Sequence, residues 1–392
     1  MAVFWKKMAG GVLLTLSLAL LGWGAEGQGN RRGKKEVLGS SMVYLGQDRD
    51  TWRPLIHITV NLSDISSIKS SFQFRTFDPE GAIFYGDTKN GEDWFVLSLK
   101  DGVPMMQISK EDMIVSVTGG PKINDGRWHT LAVSNHGKFV ILEVDGSDGL
   151  VVGMQSKQKE EVASGGLRLA LGGILINKEH MIVQFEPQMD GCVREGNWLN
   201  LSNPWEVEAD ELWPCYHNIQ PGSYFPGTGL ALFNTSVFPF EEDNELKIEL
   251  WGDFTQMNGP ILSIGAPGQE PLFTLVANNN THEVTLTFGE EKISVKNTFR
   301  RLLMTFMKDL VKVFQDEDQS KNTTISPVSH PEYLTTWRNG HLAVGGLLGE
   351  GEDTVDSQFL AGCLENIQIQ GRYLDLDLAI KHPSISSHSC PA

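Results

Sequence analysis

Cysteine is scarce in this chain, with four among 392 residues. That is too few for a disulfide-dense miniprotein, and no CxxC spacing supports a zinc cluster. No apolar run reaches the ~20 residues that a membrane-spanning helix needs. Positive charge is outnumbered, Lys+Arg 32 against Asp+Glu 49, for a net charge of −17. A surface that acidic repels a phosphate backbone, which argues against nucleic-acid binding. Catalytic signatures are missing as well. His282-Glu283 opens like a zinc-protease helix, but Leu286 stands where the second histidine belongs. Gly227-Thr228-Gly229 lacks the third glycine of a dinucleotide loop, and no Gly-x-Ser-x-Gly elbow occurs. A binding protein is expected rather than an enzyme.

Glycine and proline are plentiful, 41 and 17 of them, in a composition that is 40% hydrophobic. Those proportions favour short strands joined by turns over long helices. In residues 71–76, Phe72, Phe74 and Thr76 fall on one face and Ser71, Gln73 and Arg75 on the other. Asp78-Pro79-Glu80-Gly81 follows with type I turn chemistry. Further short strands are expected at 82–85, 94–99, 113–117, 128–133 and 139–144, with hairpin tips at Asp101-Gly102 and His136-Gly137. The pattern predicts an all-β antiparallel sandwich. Residues 299–318 also show helical spacing and are read as two strands turning at Lys308-Asp309.

The pattern occurs twice. A run into Gly172-Gly173 and then Asp190-Gly191-Cys192 returns as a run into Gly345-Gly346 and then Ala361-Gly362-Cys363. Two copies of one domain are expected, at 43–217 and 222–392, with the boundary in 217–223 (HNIQPGS), where Pro and Gly cluster. Of the three possible cysteine pairings, Cys192 with Cys215 and Cys363 with Cys390 would close the end of each half.

Residues 1–27 read as a secretory signal peptide: Lys6 and Lys7, a short apolar run at 12–21, then small residues. Residues 28–42, with Arg31, Arg32, Lys34 and Lys35, read as a flexible basic arm. Export to an oxidising compartment suits paired cysteines. It also suits the Asn-x-Ser/Thr acceptors at Asn61, Asn200, Asn234, Asn279 and Asn322, of which Asn61 lies in a strand-like run that would hide it.

Residues 124–129 (NDGRWH) followed by 142–146 (LEVDG) are how laminin-G-like modules enter and leave a central hairpin. With Gly172-Gly173 and 190–192 (DGC), the first half resembles a laminin-G domain in order and spacing, and the second is a weaker copy. Residues 70–87 (SSFQFRTFDPEGAIFYGD) and then Asp93-Trp94-Phe95 look like the sex hormone-binding globulin family, over nearly all of the chain past the signal. The resemblance implies two jelly-roll-type laminin-G-like sandwiches in tandem, with a steroid slot between the sheets of the first. Ser70 would meet the oxygen at one end of the steroid and Asp93 the hydroxyl at the other. Phe95 would pack on the steroid body, Trp94 would belong to a covering loop, and Val133 and Leu167 would add apolar contacts. A rigid apolar plate with a polar atom at each end suits a dry slot with two placed polar groups.

The chain departs from the family pattern at several of these places. Lys110 stands where the family has an asparagine near the distal hydroxyl; it can donate to a hydroxyl but not accept, and could pair with Asp93 instead. Glu111 and Ser164 replace histidines tied to zinc, so no zinc site is carried over, and Asn135 replaces a methionine of the slot wall. The resemblance further implies a structural calcium held by Asp78, Glu80 and a backbone carbonyl near Gln188, in keeping with hard oxygen ligands. It also implies a homodimer through the first domain, with the strand around Val115 and Val117 at a sheet edge. The expected function is a secreted plasma carrier of androgens and estrogens that regulates their availability. The rival is a laminin-G pair acting as a receptor ligand or matrix adhesion module, which the basic arm would suit.

Overall fold

The computed structural model describes residues 35–46, 52–111, 113–153, 165–209, 212–238, 245–307, 310–316, 323–325, 333–349 and 358–392. The expected leader, residues 28–34 of the basic arm, Ser164, the Lys308-Asp309 turn and Asn322 lie outside them. Glu36–Ala392 forms one compact unit. It is built almost wholly of antiparallel strands, and Tyr333–Asn339 is the one α-helix among the described residues.

The first half makes two sheets. One has eight strands, ordered Lys35–Val37, Trp205–Val207, Ile56–Asn61, Gly166–Leu171, Gly81–Thr88, Asp93–Lys100, Val103–Lys110, Met113–Thr118. The other has six, ordered Ser147–Gly153, Phe139–Val144, His129–Asn135, Lys69–Thr76, Gly191–Trp198, Val43–Tyr44. Alternation decides the inner faces. Phe72, Phe74 and Leu131 of the six-stranded sheet pack with Phe84, Leu97, Met106 and Leu169 of the eight-stranded one. Aromatic rings bridge the layers: Phe72 stacks on Trp198 at 4.9 Å and meets Phe84 edge-on at 5.8 Å. The eight-stranded sheet is covered on its outer face too. There Tyr85, Trp94, Val96 and Met105 pack under Ile174, Met181 and Phe185. Burial on both faces explains why 82–85 and 94–99 read as near-continuous apolar runs.

The second half repeats this plan with one strand fewer in its larger sheet. A seven-stranded sheet runs Glu291–Lys296, Glu283–Phe288, Phe273–Asn278, Gly259–Gly265, His341–Val344, Ala231–Asn234, Ile380–Lys381. A six-stranded sheet runs Thr323–Ile325, Val311–Gln315, Arg301–Phe306, Leu246–Trp251, Asn366–Ile369, Arg372–Tyr373. Thus Leu246–Trp251 occupies the place of Lys69–Thr76, and Arg301–Phe306 that of His129–Asn135. The ambiguous stretch 299–318 holds two strands, Arg301–Phe306 and Val311–Gln315, paired antiparallel. Each Gly-Cys segment pairs with the first strand of its own half, Gly191–Trp198 with Val43–Tyr44 and Ala361–Leu364 with Ser223–Pro226. Both disulfides, Cys192–Cys215 and Cys363–Cys390, are formed.

The segment read as a boundary is itself structured. Ile219–Pro221 pairs with Ser389–Pro391 near the end of the chain. Beside it, Asp190 of the first half is buried and accepts hydrogen bonds from Ser386, His388 and Ser389 of the second. No single residue type marks such a seam, because its contacts join positions almost 200 residues apart in sequence.

Candidate functional site

Ser70, Phe72 and Phe74 alternate inward along Lys69–Thr76, so the hydroxyl of Ser70 lies on the core side of the strand. Ser70 is 2% exposed; its backbone is paired in the sheet, and its hydroxyl makes no hydrogen bond among the described residues. Val133 sits directly opposite it on the neighbouring strand and faces the same interior. From the other sheet come Leu167 and Phe95. Phe95 is only partly buried and meets Phe84 edge-on at 5.2 Å. Its cross-strand partner is Gly86, and a Cβ on Gly86 would lie 2.4 Å from the Phe95 ring. The glycine therefore lets the ring lie close against the neighbouring strand. The sequence marks this only as a glycine inside a strand, and it was missed as a site residue.

Asp93 and Lys110 end their strands one step past the Trp94–Ser109 pair, on the same face as Phe95 and Ile108. Asp93 Oδ1 accepts a 2.9 Å hydrogen bond from the Glu111 backbone N–H, which fixes the tight turn there. Trp94 must be corrected. It is a strand residue, 4% exposed, on the outer face of the sheet with Tyr85 and Met105, and not in a covering loop. Strand alternation forces this: Phe95 points inward, so its neighbour points outward.

The second half fills the equivalent space. In place of the Ser70–Val133 pair it has Ile248 opposite Met304, with Phe306 at the place of Asn135, and in place of Gly86, Phe95 and Ile108 it has Ile264, Phe273 and Phe288 in register. The three phenylalanines touch one another, with centroids 4.9, 5.2 and 6.4 Å apart, and are 3% exposed or less. The second sandwich thus packs aliphatic side chains and rings where the first carries a serine and a glycine.

The calcium candidates lie at the seam between the halves. Asp78 is 1% exposed; its Oδ1 accepts from the Glu80 N–H and its Oδ2 from the Asp190 N–H. Glu80 accepts from Lys100 Nζ at 2.5 Å and from the Glu186 N–H at 2.9 Å. The Gln188 carbonyl approaches Gly81, next in the chain to Glu80, while the Gln188 amide donates to the Gly46 carbonyl. Asp377 and His388 of the second half join Asp78 here, with His388 Nε2 2.8 Å from Asp377 and 3.6 Å from Asp78. Lys381 also holds Asp377. Burial pushes the Asp78 carboxyl well above its usual range against the pull of His388. Burial, then Asp377, pushes Glu186 up to about 7 and Asp375 upward as well. Burial alone would lower the His388 imidazole, but Asp78 and Asp377 outweigh it and raise it to about 10. The buried charges balance, Asp78 and Asp377 against His388 and Lys381, and partly buried Glu186 and Asp375 are in excess; oxygen donors of this kind suit a hard divalent cation.

Of the acceptor asparagines, Asn61 is exposed at its strand end, contrary to expectation, with Nδ2 3.5 Å from Asp64. Asn200, Asn234 and Asn279 are exposed as well.

A laminin G domain family matches residues 74–202. Rat sex hormone-binding globulin (Rattus norvegicus) is 31% identical over 347 residues, 86% of this chain and 84% of the relative. The chain belongs to the sex hormone-binding globulin family. The human member (Homo sapiens) is 30% identical over 345 residues, 86% of this chain and 84% of its own. Among solved structures, domains LG4-5 of the mouse laminin alpha1 chain superpose with a TM-score of 0.66 at 19% identity, covering 92% of this chain and 96% of that one. That likeness establishes the fold: two laminin-G-like sandwiches, the all-β architecture expected of this family.

Proposed function

We propose that the protein is a non-enzymatic carrier of sex steroids, androgens and estrogens, held without covalent bonds between the sheets of its first sandwich. One observation carries the reading: Ser70, 2% exposed, turns a hydroxyl that none of the described residues bonds toward an apolar interior, where its twin sandwich has Ile248 beside a cluster of phenylalanines. A buried hydroxyl left unpaired is costly, and a steroid oxygen would supply its partner. Phe95 on Gly86, Val133 and Leu167 form the walls that would meet the steroid rings, and Asp93 with Lys110 closes the other end. Trp94 supports the sheet from behind.

The wider reading has the protein exported, glycosylated at exposed acceptors such as Asn61 and Asn200, and regulating free steroid in plasma. No helix among the described residues is long and apolar enough to cross a membrane. Calcium is proposed at Asp78 and Glu80 with the Gln188 carbonyl, where it would neutralise the carboxylates of the seam. A homodimer is proposed through Met113–Thr118, which ends the eight-stranded sheet and offers its backbone groups and Val115 and Val117 to a second copy.

Equilibrium binding of labelled androgen and estrogen to the full chain tests the reading. Saturable binding at one site per chain is expected, retained by a fragment that ends just after Cys215. Failure of both hormones to bind would overturn it, and binding by the full chain alone would move the slot to the seam.

A further inference from the structure

A second concavity lies on the other side of the six-stranded sheet, where the two halves meet. It measures about 330 Å³, at the small end of ligand pockets, and is walled by Tyr44, Trp213, Tyr216 and Tyr224 beside the Cys192–Cys215 disulfide. Tyr216 and Tyr224 meet edge-on with centroids 5.7 Å apart. Aromatic walls of this kind take an apolar body.

Arg75 also lines the pocket and sets the charge of the occupant. It projects from the face of Lys69–Thr76 opposite Ser70 and is 6% exposed. Nη1 and Nη2 donate to the carbonyls of His217 and Tyr216, but buried Nε has no partner. No carboxylate pairs with Arg75 among the described residues. Arg194 shares the Trp128 ring with it, the two guanidinium carbons 4.6 and 4.1 Å from the ring centroid. Burial, and then Arg194, lowers the Arg75 pKa, the mark of a cation without a counter-ion. The other charge in the pocket is spoken for: Asp190 takes hydrogen bonds from the backbone of His388 and Ser389 and from the hydroxyls of Ser386 and Ser389. A buried guanidinium that lines a pocket without a counter-ion calls for an anionic oxygen, and carboxylate matches its fork best.

We propose that this pocket is a second ligand site, separate from the steroid slot, that takes a small organic acid: an apolar ring or short chain bearing one carboxylate. The apolar body would lie among Trp213, Tyr216 and Tyr224, and the carboxylate would meet Arg75. Since the pocket is walled by residues from both halves, an occupant would also tighten the seam.

Calorimetric titration of the full chain with phenylacetate and hexanoate, and with their neutral amides, tests this. One site is expected for the acids, with the amides at least about tenfold weaker, the loss of one charge-assisted contact. Arg75→Gln should erase the difference between acid and amide. Thr228→Trp, which fills the pocket from its rim, should abolish binding of both, and it keeps the test sharp if Arg75→Gln fails to fold. Equal affinity for acids and amides, no acid binding at millimolar concentration, or undiminished binding to Thr228→Trp would each overturn the proposal.

Discussion

Asp190 and Ser389, 199 positions apart in the chain, are joined by two hydrogen bonds: Ser389 N–H to Oδ2 at 3.0 Å and Ser389 Oγ to Oδ1 at 2.8 Å. The Ser386 hydroxyl and the His388 N–H complete the set. A single carboxylate of the first sandwich thus organises the last turn of the second, and the two halves should unfold together. Asp190→Ala leaves two backbone N–H groups buried without a partner, at about 1–3 kcal/mol each. Denaturant unfolding should move to a lower midpoint and split into two transitions. A single transition at the wild-type midpoint would show that the seam contributes little.

At Ser70, the expected effect is on binding and not on folding, because its hydroxyl makes no bond that folding would lose. Ser70→Ala should weaken steroid affinity by about five- to a hundredfold. A ligand lacking the matching oxygen should lose a similar amount on wild type and much less on the variant. Both ligands measured on both proteins give the coupling directly. Additive losses would place Ser70 away from the steroid.

Much of this was legible in the sequence, and what was not has a common physical cause. Strand alternation puts Phe72, Phe74 and Thr76 on one face, and the repeated Gly-Gly and Gly-Cys signals announce the duplication, because both are local patterns; Ser70 comes from the family resemblance alone. Trp94 differs from the family expectation because it lies inside the strand Asp93–Lys100, where it must face away from Phe95 and the interior. Gly86, the phenylalanine cluster and the seam of Asp78, Asp190, Asp377 and His388 depend on which strands lie side by side. Pairings such as Gly86 with Phe95, or Asp78 with His388, follow from the topology and leave no mark at either position.

Gly86 offers the sharpest steric test of the slot. The Cβ of Gly86→Ala would lie 2.4 Å from Phe95 and 3.1 Å from Leu169, so the ring must lift off the sheet into the space assigned to the steroid. Overpacking of this kind costs about 1–3 kcal/mol. Steroid affinity should fall by about tenfold or more, and Gly86→Ala with Phe95→Leu should recover part of it, since the smaller side chain can clear the new methyl. Unchanged affinity in Gly86→Ala would mean that the steroid does not lie over Phe95.

The carboxylates of the seam give stability a defined pH dependence. Glu186, raised by burial and by Asp377 from 4.5 to about 7, binds its proton more tightly folded than unfolded. Its stabilising contribution is therefore complete below pH about 4.5 and is lost as pH rises through about 7. His388, raised from 6.5 to about 10, follows the same sign at higher pH: its contribution is complete below about 6.5 and is lost as pH rises through about 10. Thermal unfolding in the absence of calcium should show a melting temperature that falls between pH 4.5 and 7 on account of Glu186. Glu186→Gln should flatten that fall, and His388→Asn should lower stability at neutral pH while leaving the Glu186 slope in place. Calcium, if it occupies this cluster, competes with the same protons, so its stabilising effect should grow as pH rises through about 7 and shrink below it. A calcium effect independent of pH would place the ion elsewhere, and an unchanged slope in Glu186→Gln would assign it to another group.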